Sequence, residues 1–225
     1  MIMDRTATGR RAFLAGLAAV AAAPATAALA DALAFDDGWQ EQRFPFQRSN
    51  EFTLMGDALQ VDSDGGVSLL MRTVAQADWA ATRASWRWSV ARGVPATDLA
   101  VKGGDDRNLA LYFAFLPRAR AEALQGASAR KVLRDPAART LIYVWGGDAA
   151  LGTVTPSPYL EGRGFTIAMR PAGTGDHTEA VDLAADYRRS FGAAPEALFG
   201  LAISADSDDT DTVIDARIEN LRLMG

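Results

Sequence analysis

Bulky apolar residues alternate with small or polar ones along much of the chain, with breaks at Gly, Asp and Pro. A period of two marks β-strands whose two faces meet different surroundings. Strands are predicted over Glu51–Met55, Ala58–Val61, Val67–Arg72, Arg83–Ala91, Asn108–Phe115, Thr140–Gly146, Phe165–Arg170, His177–Val181, Leu198–Ser204 and Val213–Leu223. The stretch Asp62-Ser63-Asp64-Gly65-Gly66 predicts a hairpin turn, because glycine accepts positive φ. Residues Pro117 to Leu133 are rich in the helix formers Ala, Arg, Leu and Glu, and proline suits a first helical turn. A shorter helix is predicted from Leu183 to Phe191, with Gly192 as its stop. Many short strands and only two helices predict an all-β fold, a two-sheet antiparallel β-sandwich or jelly roll. A doubly wound sheet needs helices between most of its strands.

Alternation also sorts each strand by side. Trp86, Trp88 and Val90 oppose Arg83, Ser85, Arg87 and Ser89. Leu109, Leu111, Phe113 and Phe115 oppose Asn108, Ala110, Tyr112 and Ala114; Phe199, Leu201 and Ile203 oppose Gly200, Ala202 and Ser204. Burying each large apolar side chain is worth about 1.5–3 kcal/mol, so these sets belong between the sheets. The opposite sides carry Ala, Gly, Ser, Arg and Tyr, with no lysine or glutamate. Such a surface suits a concave face that accepts a ligand, with Arg87 and Tyr112 as candidate contacts. The competing expectation is that the 117–133 helix lies on this face and needs the small residues for close packing.

The first thirty residues differ from the rest. Arg10-Arg11 followed by Phe13-Leu14, an apolar run to Ala23 and small residues beyond Pro24 resemble a twin-arginine export signal, with cleavage expected after Ala30. The expected destination is the periplasm or the exterior. The expected mature part is one β-sandwich domain, residues 31–225, with no membrane span. Loss of Asp4, Arg5, Arg10 and Arg11 would move the net charge from −5 to −7. An acidic chain is a poor partner for nucleic acid, whose affinity comes largely from phosphate neutralisation. With no cysteine and a single histidine, His177, disulfides, thiolate zinc, iron–sulfur clusters and multi-histidine centres are excluded. No Gly-x-Ser-x-Gly elbow accompanies His177, which reads as a histidine near a turn.

Three groups of residues could carry chemistry. In Gly103-Gly104-Asp105-Asp106-Arg107, two carboxylates beside a guanidinium could bind sugar hydroxyls or a cation, or act as acid and base. Adjacent side chains on extended backbone point opposite ways, so only one readily enters a given site. The alternative is a turn held by aspartate-to-backbone hydrogen bonds and an Asp–Arg107 ion pair. The run Asp206-Ser207-Asp208-Asp209-Thr210-Asp211 could gather calcium through Asp206, Asp208 and Asp211. It is not an EF-hand loop, since the sixth position is Asp211 rather than glycine and the twelfth is Arg217 rather than glutamate. The alternative is a solvated turn. Trp86, Trp88, Tyr143, Trp145 and Tyr159 could form a sugar-stacking platform, although aromatics at strand spacing are usually core. Tyr159, in Ser157-Pro158-Tyr159, is the best exposed candidate.

Trp86-Arg87-Trp88, Asp105-Asp106-Arg107, Tyr143-Val144-Trp145, Ser157-Pro158-Tyr159, Asp186-Tyr187-Arg188-Arg189 with Phe191-Gly192, and the Asp206–Thr210 run occur in order across the chain. As an ordered set they resemble the bacterial domain-of-unknown-function family numbered 3047. That resemblance implies no activity and no catalytic residue. The ending Ile218-Glu219-Asn220-Leu221-Arg222-Leu223 resembles the last strand of carbohydrate-binding jelly rolls, an analogy of fold only. The first expectation is therefore an exported, non-catalytic binding module for a glycan or another small polar envelope ligand. Its candidate contacts are Arg87, Asp105, Asp106, Arg107, Tyr112 and Tyr159. The alternatives are a carboxylate-dependent glycan-active enzyme using Asp105 or Asp106, and an envelope assembly protein.

Overall fold

The computed structural model describes Met1 and residues 31–225. The export-signal expectation falls on residues 2–30, outside the described residues. In chain order the strands are β1 (Gln40–Arg43), β2 (Glu51–Leu54), β3 (Ala58–Asp64), β4 (Val67–Thr73), β5 (Arg83–Arg92) and β6 (Arg107–Leu116). Then come β7 (Arg139–Trp145), β8 (Val154–Pro156), β9 (Gly164–Arg170), β10 (Gly175–Asp182), β11 (Ala197–Asp206) and β12 (Val213–Met224). They form a seven-stranded sheet ordered β1-β4-β11-β6-β7-β9-β8 and a five-stranded sheet ordered β10-β5-β12-β3-β2. All pairs are antiparallel except β7 with β9. The predicted two-sheet, mostly antiparallel β architecture is the one observed. Strands β1 and β8 escaped prediction: Gln-Glu-Gln-Arg has no apolar residue, and β8 is three residues ending in proline. Both are edge strands, where such sequences are tolerated.

The large apolar sides lie between the sheets as expected. Leu109, Leu111, Phe113 and Phe115 of β6 and Leu201 and Ile203 of β11 share one core with Trp86, Trp88 and Val90 of β5. On β7 it is Tyr143 and Trp145 that turn inward. Their rings pack against the β5 tryptophans: Trp86 to Tyr143 is 5.7 Å between centroids, Trp88 to Trp145 is 5.6 Å and Phe113 to Tyr143 is 5.6 Å. Two of the buried polar tips are paired, as low dielectric favours, while Trp86 Nε1 has no hydrogen-bond partner among the described residues. Tyr143 Oη donates to Asp186 at 2.8 Å and Trp88 Nε1 to Glu179 at 3.1 Å.

The structure corrects two local expectations. The 62–66 turn is not a hairpin, because β3 and β4 belong to different sheets. Gly65 does adopt positive φ, 58°, but the chain arches from one layer to the other. The arch is locked to the β11–β12 connection: Ser63 Oγ lies 2.9 Å from Ser207 Oγ, Gly66 N donates to that oxygen at 3.2 Å, and Ser207 N donates to Gly66 O at 3.1 Å. The 117–133 helix is two short ones, α1 (Arg118–Ala123) and α2 (Ala129–Leu133). Gly126, at φ 74°, breaks the path between them, and Ser128 caps α2 by accepting from Lys131 N. The third helix, α3 (Leu183–Phe191), has its predicted bounds, with Gly192 at φ 72° as the left-handed stop. No helix among the described residues is long and apolar enough to cross a membrane.

Trp88 is fully buried, whereas its neighbour Arg87 is half exposed on the outer face. In urea unfolding, Trp88→Ala is expected to lose about 3–5 kcal/mol. Arg87→Ala should leave the midpoint nearly unchanged.

Candidate functional site

The inward-facing rows of β6, β9 and β11 leave mostly small residues on the outer face of the seven-stranded sheet, while β4 and β7 set Leu69, Met71, Ile142 and Val144 there. That surface forms the floor of a cleft of about 760 Å³. Leu69 and Met71 of β4, Tyr112 of β6, Ile142 and Val144 of β7 and Ser204 of β11 line it. Phe44, Pro45 and Gln47, in the loop after β1, add a wall, and Ser157, Pro158, Tyr159 and Leu160 are also part of its lining. The expectation of a covering helix holds at one end only. Helix α2 lies there: a Cβ added to Gly200 would be 3.7 Å from Val132 Cγ1 and 3.7 Å from Ala114 Cβ. The rest of the floor is open.

A continuous hydrogen-bonded chain crosses the other end. Gly103 N donates to Tyr159 Oη at 3.2 Å, and Tyr159 Oη donates to Asp105 Oδ1 at 2.7 Å. Arg107 Nη1 binds Asp105 Oδ2 at 2.9 Å and Asp206 Oδ2 at 3.0 Å. Arg107 Nη2 donates to Tyr112 Oη at 2.9 Å, which lies 3.2 Å from Ser204 Oγ. Burial opposes the charge on Arg107, but Tyr112, Asp206 and Asp105 outweigh it and raise its pKa. Burial, reinforced by the hydrogen bond to Asp105, pushes the Tyr159 phenol up to about 12. The Tyr159 ring is half exposed and carries Lys102 Nζ 5.4 Å from its centroid.

Asp105 and Asp106 part as alternation requires. Asp105 faces the cleft, whereas Asp106 is fully buried beneath the 208–210 turn. Asp106 Oδ2 accepts from Thr210 N at 2.7 Å and Thr210 Oγ1 at 2.5 Å, and Oδ1 from Asp209 N at 3.4 Å. The expected Asp–Arg107 ion pair is present, through Asp105, but the Asp106 carboxylate holds the distant 208–210 turn rather than a turn within residues 103–107. The acidic run also divides. Asp206, Asp208 and Asp209 line the cleft, with Gln47 Nε2 donating to Asp208 Oδ2 at 2.5 Å. Asp211, at φ 48°, turns away, exposed beside Arg48 at 3.8 Å. The sequence trio Asp206, Asp208 and Asp211 is therefore not assembled. Among the described residues, Asp106, Asp208 and Asp209 each offer an oxygen within 4.8 Å of the others. Burial drives the Asp206 carboxyl up to about 8 despite Arg107, and Asp208 and Asp106 push the same way. Among the described residues its Oδ1 has no hydrogen-bond partner.

Arg87 is not part of this site. It has the same strand parity as the cleft residues, but β5 belongs to the other sheet. There it binds Asp176 through Nε at 2.8 Å and Glu219 through Nη1 at 2.9 Å. Trp86, Trp88, Tyr143 and Trp145 are core and offer no stacking platform. His177 packs on Trp145, with centroids 5.0 Å apart. Sequence reasoning missed the loop after β1, because Phe44-Pro45-Phe46-Gln47 has no strand period. An exposed aromatic pair around a proline was the available signal; Phe46 is fully exposed at φ 67°.

The chain belongs to the family described as "Protein of unknown function (DUF3047)", matched over residues 37–222. A search among curated proteins found no match. Among solved structures, the chain is similar to the xyloglucanase domain of a type three effector from Sinorhizobium fredii, in complex with cellobiose. Identity is 8% and the TM-score 0.47, covering 84% of this chain and 94% of that one. It is also similar to a loop-swap mutant of the Xyn11A protein of Necallimastix patriciarum, at 11% identity and TM-score 0.39, covering 84% and 89%. A third is a family 11 carbohydrate-binding module from a Clostridium thermocellum cellulase, at 8% identity and TM-score 0.38, covering 88% and 96%.

The raised Asp206 carboxyl has a definite pH signature. A carboxyl protonated in the fold but ionised when unfolded contributes stability that is lost as pH rises from roughly 4 to about 8. Urea midpoints measured across that window should fall for the parent chain. Asp206→Asn should flatten the slope and be the more stable of the two at the alkaline end.

Proposed function

We propose that the protein is an exported binding module whose cleft takes a glycan. The observation that carries this reading is the open, sheet-floored cleft, which sets aliphatic floor residues beside a row of fixed hydroxyl, carboxylate and guanidinium groups. A saccharide has the matching character: apolar C–H faces to lie on Leu69, Met71, Ile142 and Val144, and hydroxyls to exchange hydrogen bonds with Tyr159, Asp105 and Ser204. Concave sites with an apolar lining and a few placed polar groups are where small ligands bind. A binding role is preferred to carboxylate catalysis because both residues offered as acid and base are engaged. Asp105 is held by Arg107 and Tyr159, and Asp106 by the 208–210 turn.

Calorimetric titration with a panel of envelope oligosaccharides tests the reading. Saturable binding is expected, weakened about tenfold, roughly 1.4 kcal/mol, by Tyr159→Ala and unchanged by Arg87→Ala. Failure of the whole panel would sink the glycan assignment. Release of new reducing ends would replace binding with catalysis.

Export is the second part of the proposal and rests on the Arg10-Arg11 segment and the small residues before Asp31. Mass spectrometry of the protein recovered from outside the cytoplasm is expected to find Asp31 at the N-terminus. Arg10→Lys with Arg11→Lys should leave the chain in the cytoplasm uncut.

A further inference from the structure

We propose that the saccharide bound in the cleft is acidic, its anionic group seated among Arg130, Arg134 and Arg163 at the α2 end. The inference rests on the glycan reading and narrows it to one substrate class. Its starting point is the anchoring of α2. Gly200 and Ala114 are small enough for Val132 to settle on the floor, and Val132 is fully buried. Arg130 in α2 and Arg134 at its C-terminal cap, four residues apart, both line the cleft. Arg163, just before β9, lines it too, and its carbonyl accepts from Thr140 N at 2.9 Å, which places it at the same end.

Among the described residues none of these three arginines forms an ion pair with a carboxylate. Arg163 Nη1 donates only to the Asp135 carbonyl, at 3.4 Å. The nearby Asp135 carboxylate is held by Arg120 Nη2 at 2.6 Å. Thr140 and Thr166 also line this end. Guanidinium groups lining a cleft with no counterion are suited to a carboxylate or sulfate, which they bind through short, charge-assisted and often bidentate hydrogen bonds.

The opposite end excludes the same group. Asp105, Asp206, Asp208 and Asp209 crowd there, with Arg107 already shared between two of them. Strand β6 runs from Arg107 at the acidic end to Ala114 beneath α2, roughly 23 Å at strand spacing. A chain of several sugars spans that distance, and its acidic residue has one favourable end. The cleft therefore both selects an acidic saccharide and orients it.

Titration with three tetrasaccharides of equal length, one neutral, one of uronates and one sulfated, decides the matter. At low salt an acidic probe is expected to bind at least about tenfold more tightly than the neutral one. The uronate and sulfate arms identify which anion fits. Added salt should shrink the advantage. In Arg130→Gln with Arg134→Gln the acidic and neutral affinities should converge, whereas Arg87→Gln with Arg92→Gln, which removes an equal charge on the other sheet, should keep them apart. Equal affinities in the parent chain, or an advantage that survives the double substitution, would overturn the inference and leave the glycan reading standing. No binding by any of the three would overturn both.

Discussion

Ring-against-ring packing between the two sheets governs the rest of the molecule. Trp86 and Trp88 from β5 meet Tyr143 and Trp145 from β7 and Phe113 from β6 in one continuous layer. Strand side chains alternate, so every bulky residue drawn inward sends its neighbours outward. On the seven-stranded sheet those neighbours include the small Ala110, Ala114, Gly200, Ala202 and Ser204 beside the larger Leu69, Met71, Tyr112, Ile142 and Val144. The filled interior and the shallow outer trough are two results of one pattern. A substitution that moved bulk across the sheet would spoil both.

Charge gives the trough a direction that packing alone does not. At one end the largely buried Arg107 guanidinium is divided between Asp105 and Asp206, with further carboxylates crowded behind it. At the other, arginines stand on a helix held by Val132 and the absent side chain of Gly200. Two kinds of local structure make this contrast. The acidic end is built from turns whose backbone donors hold carboxylates in place, and the basic end from a short helix laid on small residues.

Sequence alternation made the layers legible, and long-range pairing hid the site. The inward sets on β6 and β11 follow from spacing alone, as does the split between Asp105 and Asp106. Helix α3 was legible because Gly192 ends it unambiguously. Sheet membership is another matter, since Arg87 and Tyr112 share a local pattern and yet face opposite outer surfaces. Gly65-Gly66 likewise marks a reversal without saying whether the chain returns beside itself or crosses to the other layer. The division of the acidic run depends on the positive φ of Asp211, and no residue spacing reports that. The wall from Phe44 to Gln47 is irregular backbone, which has no period to detect.

The lock between the β3–β4 arch and the β11–β12 connection has a thermodynamic consequence. Ser63, Gly66 and Ser207 are joined by buried hydrogen bonds, so the loop carrying Asp208 and Asp209 is fastened to both layers. Conformational entropy that a loose loop would surrender on meeting a guest is already given up when the chain folds. That rim of the trough is preorganised, and a ligand of the proposed kind would draw little from the free energy of its contacts to order it.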